Sequence, residues 1–569
     1  MQDAVVPLAE PAAGRARRAR LLTLTRSAAP TRVEFATAVL SALLLVLAFP
    51  DFNLWPLAWV GLAPLLFTIA RRPRARQSFV LGWTTGALFF YGSCWWLTYS
   101  MIHYGRLPGA LAYALLIPGA LIVGLFPALF CLVFACLCLR WGACGLFAAP
   151  PLWVALEWAR LGATGQLWNA IGYSQAYQPE LISAARWGGV YAVGFLIVAM
   201  NAALAYALLR RNLRALLMVL LVGGGVALVS VLTTSSGLPG LPQSMAAAPA
   251  AVVIAVQPNV DVNFDRAPEE TAELIARHLS LSADALKRWD ESPAGLPGDM
   301  RAASSDAQTL RAWQATPRVV VWPESPMNFT YTQDAEFRAL VAEFASTHRT
   351  AVLFNSQEPA PAGGAYNSAV LVNDEGRLVA QYDKIRLLPF GEYVPLPRWF
   401  PGAWLLSGLV GDFTPGTKYP LMPLGDARGG VFICFESAFP EIARTFTRAG
   451  ADVLINISND GYLGRTPVLR QHLANAVFRA VENERPVLRV TNTGISAYIT
   501  ARGEVQDATN SFEPAVRTWP VAPAAGQTFY TRHGELFVAL CALISVLLFV
   551  LCQWPTMRRA RLRQRAPAV

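Results

Sequence analysis

The sequence predicts a polytopic α-helical membrane protein of about eight spans, carrying a layered α/β domain outside the membrane. Three observations predict it. The 569 residues are 54% hydrophobic and only 15% charged, with a mean hydropathy of +0.37, a balance that excludes an ordinary soluble enzyme. Arginine clusters flank the apolar runs and all fall on one side of them. One long segment, near 250–520, changes character to short β-rich runs separated by amphipathic stretches.

The apolar runs cover 34–49, 54–70, 79–100, 108–139, 146–161, 188–209, 215–232 and 536–552. A hydrocarbon core needs ~20 helical residues, so the first, second and fifth are short. The fourth suits one tilted helix or two, because Pro118 and Pro127 can each kink or break it. Seven spans in 33–234 and an eighth in 535–553 are therefore expected.

Charge orients them. Arg15, Arg17, Arg18, Arg20 and Arg26 precede the first run, and Arg71, Arg72, Arg74 and Arg76 follow the second. Arg140 follows the fourth, Arg210, Arg211 and Arg214 the sixth, and Arg558, Arg559, Arg561, Arg563 and Arg565 the last. With eight spans these share one side, the cytoplasm by the positive-inside rule, and the segment between spans seven and eight lies outside. Orientation thus explains the net charge of +10, and no nucleic-acid partner is expected. Residues 1–32 lack an apolar signal core and read as a cytoplasmic tail, with 554–569 as a second, basic one.

A Gly/Pro/Ser/Ala linker, 235–250, leads into the external domain at 251–525. Strands are expected at 251–257, 318–322, 351–354, 368–372, 378–382, 431–435, 453–458, 487–491 and 497–500. Several are continuous apolar runs, the mark of strands covered on both faces. Helices are expected at 268–286, 335–346, 441–450 and 467–484. The polar 291–308 stretch reads as a mobile loop.

Cys434 is the one cysteine in this domain, the other seven lying in or beside apolar runs. It has no disulfide partner or Cys/His cluster there. Free cysteine is often a small core residue, but this one ends a strand before a helix near Pro440, whose N-terminus stabilises a thiolate. Glu324 follows the 318–322 strand, and Lys384 follows 378–382. Reactive groups on α/β sheets gather at strand ends. A carboxylate takes a thiol's proton, and an ammonium holds a developing oxyanion. Taken singly, Glu324 also reads as a helix-entry or surface acid, and Lys384 as a solvated charge beside Arg386.

The strings Trp322-Pro323-Glu324-Ser325, Tyr382-Asp383-Lys384 and Ile433-Cys434-Phe435-Glu436 resemble, in order and spacing, the Glu-Lys-Cys signature of the nitrilase superfamily. Four further strings, 388–395, 458–462, 489–494 and 172–175, are similar to one membrane branch, the apolipoprotein N-acyltransferases. The likeness covers about 32–553. It implies an extracytoplasmic nitrilase-like α-β-β-α sandwich, with Glu324 as general base, Lys384 as oxyanion-stabilising cation and Cys434 as nucleophile. Glu392 corresponds to a supporting glutamate and Glu436 to an acid beside the nucleophile, either catalytic or structural. Phe435 stands where the family pattern has Tyr, and Tyr462 where it has Trp. The implied reaction takes an acyl chain from a phospholipid, phosphatidylethanolamine, onto Cys434 as a thioester. It then passes that chain to the α-amine of S-diacylglyceryl-cysteine on an apolipoprotein in the inner membrane. No cofactor is implied.

Five histidines show no ligand spacing, and no metal is expected. Glu157 and Arg160, at i,i+3 spacing in the fifth run, are expected to pair. The apolar 399–409 stretch reads either as a substrate entrance or as a packed turn. Two rivals remain. One is a membrane-tethered amidase in which water resolves the thioester. The other is a transporter or receptor whose outer domain only binds.

Overall fold

The computed structural model describes residues 29–235, 249–263, 267–291, 313, 315–324, 329–361, 363–394, 411 and 413–564. The expected loop at 292–308, the 399–409 stretch, most of the linker and residues 1–28 lie outside the described residues.

The membrane half is built from α1 (Arg32–Ala48), α2 (Ala63–Arg71), α3 (Ala75–Ser93), α4 (Leu97–His103), α5 (Gly109–Trp141), α6 (Ala149–Thr164), α7 (Val190–Arg210) and α8 (Leu213–Ser235). Four stretches are long and apolar enough to cross a membrane: Gly109–Thr164, Val190–Arg210, Leu213–Val231 and Leu536–Gln553. The fourth apolar run is one helix, α5, with Pro118 and Pro127 inside it. At 33 residues it is ~50 Å long, more than the ~30 Å hydrocarbon thickness. The second run is broken into short turns before α2. Asn201, buried on α7, satisfies the backbone at that break: its Oδ1 accepts from the N–H groups of Leu62 and Ala63 at 2.8 and 2.9 Å, and its Nδ2 donates to the Ala58 carbonyl at 2.9 Å.

Glu157 and Arg160 are both buried, but the expected mutual ion pair does not form among the described residues. Glu157 accepts from the Ile171 N–H at 2.8 Å, and Arg160 donates to the Trp168 carbonyl at 2.8 Å. Buried loop backbone at 168–171 needs partners, and it takes these two side chains in place of the direct pair.

The second half of the chain holds two six-stranded sheets. The strands are β1 (Ala251–Gln257), β2 (Arg318–Val321), β3 (Ala351–Pro359), β4 (Ala365–Val372), β5 (Leu378–Asp383), β6 (Leu421–Leu424), β7 (Ala427–Ile433), β8 (Val453–Ser458), β9 (Val487–Thr491), β10 (Ala497–Ile499), β11 (Val505–Gln506) and β12 (Ala515–Val521). Their orders are β12-β1-β2-β3-β4-β5 and β11-β10-β9-β8-β7-β6. Each sheet has a parallel core, β1-β2-β3 or β7-β8-β9, flanked by antiparallel strands.

Side-chain alternation explains the layering. Val253 and Ala255 point into the core shared with the second sheet. Ile254 and Val256 face the opposite way, against α9 (Pro268–Glu291) and α10 (Ala335–His348). The second sheet is covered by α11 (Pro440–Arg448) and α12 (Val468–Asn483). The result is an α-β-β-α sandwich whose α12 side meets the membrane helices. The chain then returns through α13 (Phe529–His533) to α14, which runs Leu536–Gln564 and so continues past the expected end of the last span.

Candidate active site

The site lies where the parallel strands of both sheets end, as strand-end geometry requires. Glu324 is three residues beyond β2. Its Oε1 accepts from Asn367 Nδ2 at 3.0 Å and lies 3.5 Å from Lys384 Nζ. Its Oε2 accepts from the Asn459 N–H at 3.0 Å. Lys384 follows β5 and is 1% exposed. Its ammonium donates to Glu392 Oε1 at 2.7 Å. Burial pulls the lysine's pKa down, but Glu392 and Glu324 outweigh it and hold the pKa above the ordinary value, so the ammonium stays charged.

Glu392 uses both oxygens. Oε1 also accepts from Asn367 Nδ2 at 2.7 Å, and Oε2 from the Leu388 N–H at 2.7 Å. Asn367 therefore bridges the two glutamates, and it is itself fixed by Asn355 Nδ2 at 2.7 Å.

Cys434 lies one residue past the end of β7, not within a strand reaching 435. It opens a 3-10 turn, Cys434–Ala438, with φ at +52°. The left-handed conformation breaks the ladder and swings the side chain off the sheet. The residue keeps some exposure, yet enough protein surrounds the thiol that burial pushes its pKa up. Glu324 adds to that rise, while Lys384 and a Ser458 hydrogen bond oppose it. The helix expected near Pro440, α11, begins there, six residues beyond Cys434, and burial still holds the thiol's pKa up. The nucleophile candidate is a neutral thiol that needs a base, and the two residues acting most strongly on it are Glu324 and Lys384.

Glu436 is fully buried. Its Oε1 accepts from Tyr382 Oη at 2.8 Å and from the N–H groups of Ile385 and Arg386 at 2.8 and 3.0 Å. Its Oε2 accepts from the Ile433 N–H at 2.8 Å. One carboxylate thus ties the turn carrying Lys384 to the turn carrying Cys434. Phe435 stacks on Trp168 of the membrane half, with ring centroids 6.0 Å apart. Tyr462 meets Tyr104 edge-on at 5.9 Å, and its carbonyl accepts from Ser100 Oγ at 2.6 Å. Burial raises the Tyr462 pKa, and Glu324 and Cys434 raise it further, which puts the phenol in the same cluster.

Residues 41–203 match the model of the apolipoprotein N-acyltransferase N-terminal domain, and 240–527 that of carbon-nitrogen hydrolase. The apolipoprotein N-acyltransferase of Geobacter metallireducens is 33% identical over 529 residues, 90% of this chain and 93% of that one. The chain belongs to the apolipoprotein N-acyltransferase family. The family member of Nitrosomonas europaea is 31% identical over 514 residues, covering 88% and 94%. Among solved structures, an amidase from a Nesterenkonia species is 16% identical, with a TM-score of 0.35, covering 53% of this chain and 100% of its own. The match over 240–527 makes the second domain a carbon-nitrogen hydrolase domain, here within an acyltransferase.

Sequence reasoning brought Glu324, Lys384, Cys434 and Glu392 to one place but missed Asn367 and the Asn459 N–H, which orient the carboxylates. Asn367 carried a signal, standing with Ser368 as a polar pair just ahead of the apolar end of β4. Among the described residues there is no cluster of His, Cys, Asp and Glu able to hold a metal ion.

Proposed function

We propose that the protein N-acylates apolipoproteins by a two-step transfer through Cys434. The observation that carries this reading is the Phe435–Trp168 stack. It seats the residue after the thiol against the membrane half, where an acyl donor anchored in lipid can reach it. In the first step Glu324 accepts the thiol proton, and Sγ attacks the ester carbonyl of a phospholipid, phosphatidylethanolamine. The charged Lys384 offsets the oxyanion. Collapse breaks the ester C–O bond, and the lysophospholipid alcohol leaves with the proton held by Glu324.

In the second step the α-amine of an S-diacylglyceryl-cysteine attacks the thioester carbonyl. Glu324 takes the amine proton and returns it to the departing sulfur. An amide is more stable than the thioester, so no energy source or cofactor is needed. Glu392 holds Lys384, and Glu436 holds the backbone of both turns.

The reading includes about eight spans, with the catalytic domain on the periplasmic face of the inner membrane. Its support is one-sidedness. Pro50, just past the end of α1, and Ser93, the last residue of α3, both touch the catalytic half, as does Trp168 beyond the fifth run. The arginine clusters sit at the opposite ends of those runs.

Incubating the purified protein with phosphatidylethanolamine vesicles and analysing it by mass spectrometry tests the first step. A fatty-acyl adduct on the Cys434 peptide is expected, discharged on adding a diacylated lipopeptide and lacking in Cys434→Ser. An adduct on another residue, or none, overturns the reading.

A further inference from the structure

Two neighbouring residues near the start of α12 send polar contacts in opposite directions. Gln471 is buried. Its Oε1 accepts from Trp96 Nε1 at 3.0 Å and Trp168 Nε1 at 2.9 Å, with Asn169 Nδ2 at 3.4 Å. Its Nε2 donates to the carbonyls of Pro50 and Ser93 at 2.9 and 3.0 Å. All five partners belong to the membrane half.

His472 turns toward the nucleophile. Its Nε2–H donates to the Cys434 carbonyl at 3.0 Å, while Nδ1 lies 2.8 Å from Asp460 Oδ1. Asp460 is anchored in turn by Arg489 at 2.8 Å and by Ser458 Oγ at 3.1 Å.

Cys434 needs such a hold. A non-glycine residue at φ +52° is disfavoured, and such strain persists only where the surroundings over-determine it. The other side-chain contact to that carbonyl, Asn456 Nδ2 at 3.5 Å, is long.

We infer that His472 is a positioning residue that holds the Cys434 peptide in its left-handed conformation through the carbonyl. Gln471 fixes the turn bearing His472 to the membrane half, so the thiol is aimed by contacts originating on the lipid side. The inference rests on the proposed role of Cys434 as nucleophile.

The test measures the rate of acyl adduct formation on Cys434 by the full-length protein in phosphatidylethanolamine vesicles. His472→Asn places its amide near the Nδ1 position, keeping the Asp460 contact but falling short of the carbonyl. His472→Gln reaches the Nε2 position and the carbonyl. A displaced reacting group costs ~10²-fold, and that loss is expected for His472→Asn, with the dependence on phospholipid concentration unchanged. His472→Gln is expected to recover most of the rate.

A residue that served only as a partner for Asp460 gives the reverse order, Asn tolerated and Gln impaired, and that result overturns the inference. Equal rates for both variants and the unaltered protein overturn it too. Absence of any adduct in the unaltered protein instead removes the nucleophile reading itself. Gln471→Ala is expected to slow the unaltered protein but to add nothing in the His472→Asn background, because residues acting through one contact are not additive. Additive losses overturn the link to the membrane half.

Discussion

Lys384 is gripped by Glu392 at 2.7 Å and approached by Glu324 only to 3.5 Å. The difference divides the labour between two carboxylates of the same type. Glu392 takes the ammonium, Asn367 and a backbone N–H, which leaves it committed to holding. Glu324 accepts one N–H on each oxygen and stands off the ammonium, which supports its proposed role as the base.

Stability and rate should therefore respond in opposite order. Breaking a buried pair costs ~3–5 kcal/mol. Glu392→Gln is expected to approach that loss in chemical denaturation while retaining measurable acyl transfer. Glu324→Gln is expected to destabilise less and to abolish transfer. Finding Glu324→Gln the more destabilising and the more active would reverse the assignment.

Charge also separates ionising the thiol from using it. Glu324 raises the Cys434 pKa, on top of the rise due to burial. Replacing it with Gln removes that repulsion, so the thiol's pKa falls and more thiolate exists at a given pH below it. Each unit of fall gives ~10-fold more thiolate. Alkylation of Cys434 by iodoacetamide at pH 8 should speed up in Glu324→Gln although acyl transfer disappears. Slower alkylation would mean that Glu324 draws the proton from the thiol even without an ester present, and that this outweighs its raising of the thiol's pKa.

How much of this was legible in the sequence depended on where the information lay. Glu324, Lys384 and Cys434 could be read because each sits beside a short apolar strand that points it into the same crevice. Strands β6 and β12 could not, since each contains a proline, Pro423 or Pro520, that argues against a strand. Both are edge strands, where a missing N–H is tolerated. His472 was legible only as a histidine without metal-ligand spacing. Its contact with the Cys434 carbonyl joins residues 38 positions apart, and no local pattern encodes that. The end of β7 was overrun because Phe435 continues the apolar run, whereas Glu436 pulls the Ile433 N–H out of the ladder.

The second apolar run was likewise misleading, because its composition suits a span but its backbone is interrupted. At membrane depth every freed N–H and C=O must find a protein partner. Asn201 supplies three of them from α7: Leu62, Ala63 and Ala58. Asn201→Leu fits the apolar surroundings but removes a hydrogen bond from each of those three groups, at ~1–3 kcal/mol for each one left unsatisfied. The variant is expected to melt at a clearly lower temperature in detergent, while the surviving folded fraction acylates at the normal rate per molecule. Asn201 lies on the membrane helix, away from Cys434, so a lost rate with an unchanged melting point would contradict a purely structural role. An unchanged melting point with an unchanged rate would show that the break in the second run satisfies its own backbone.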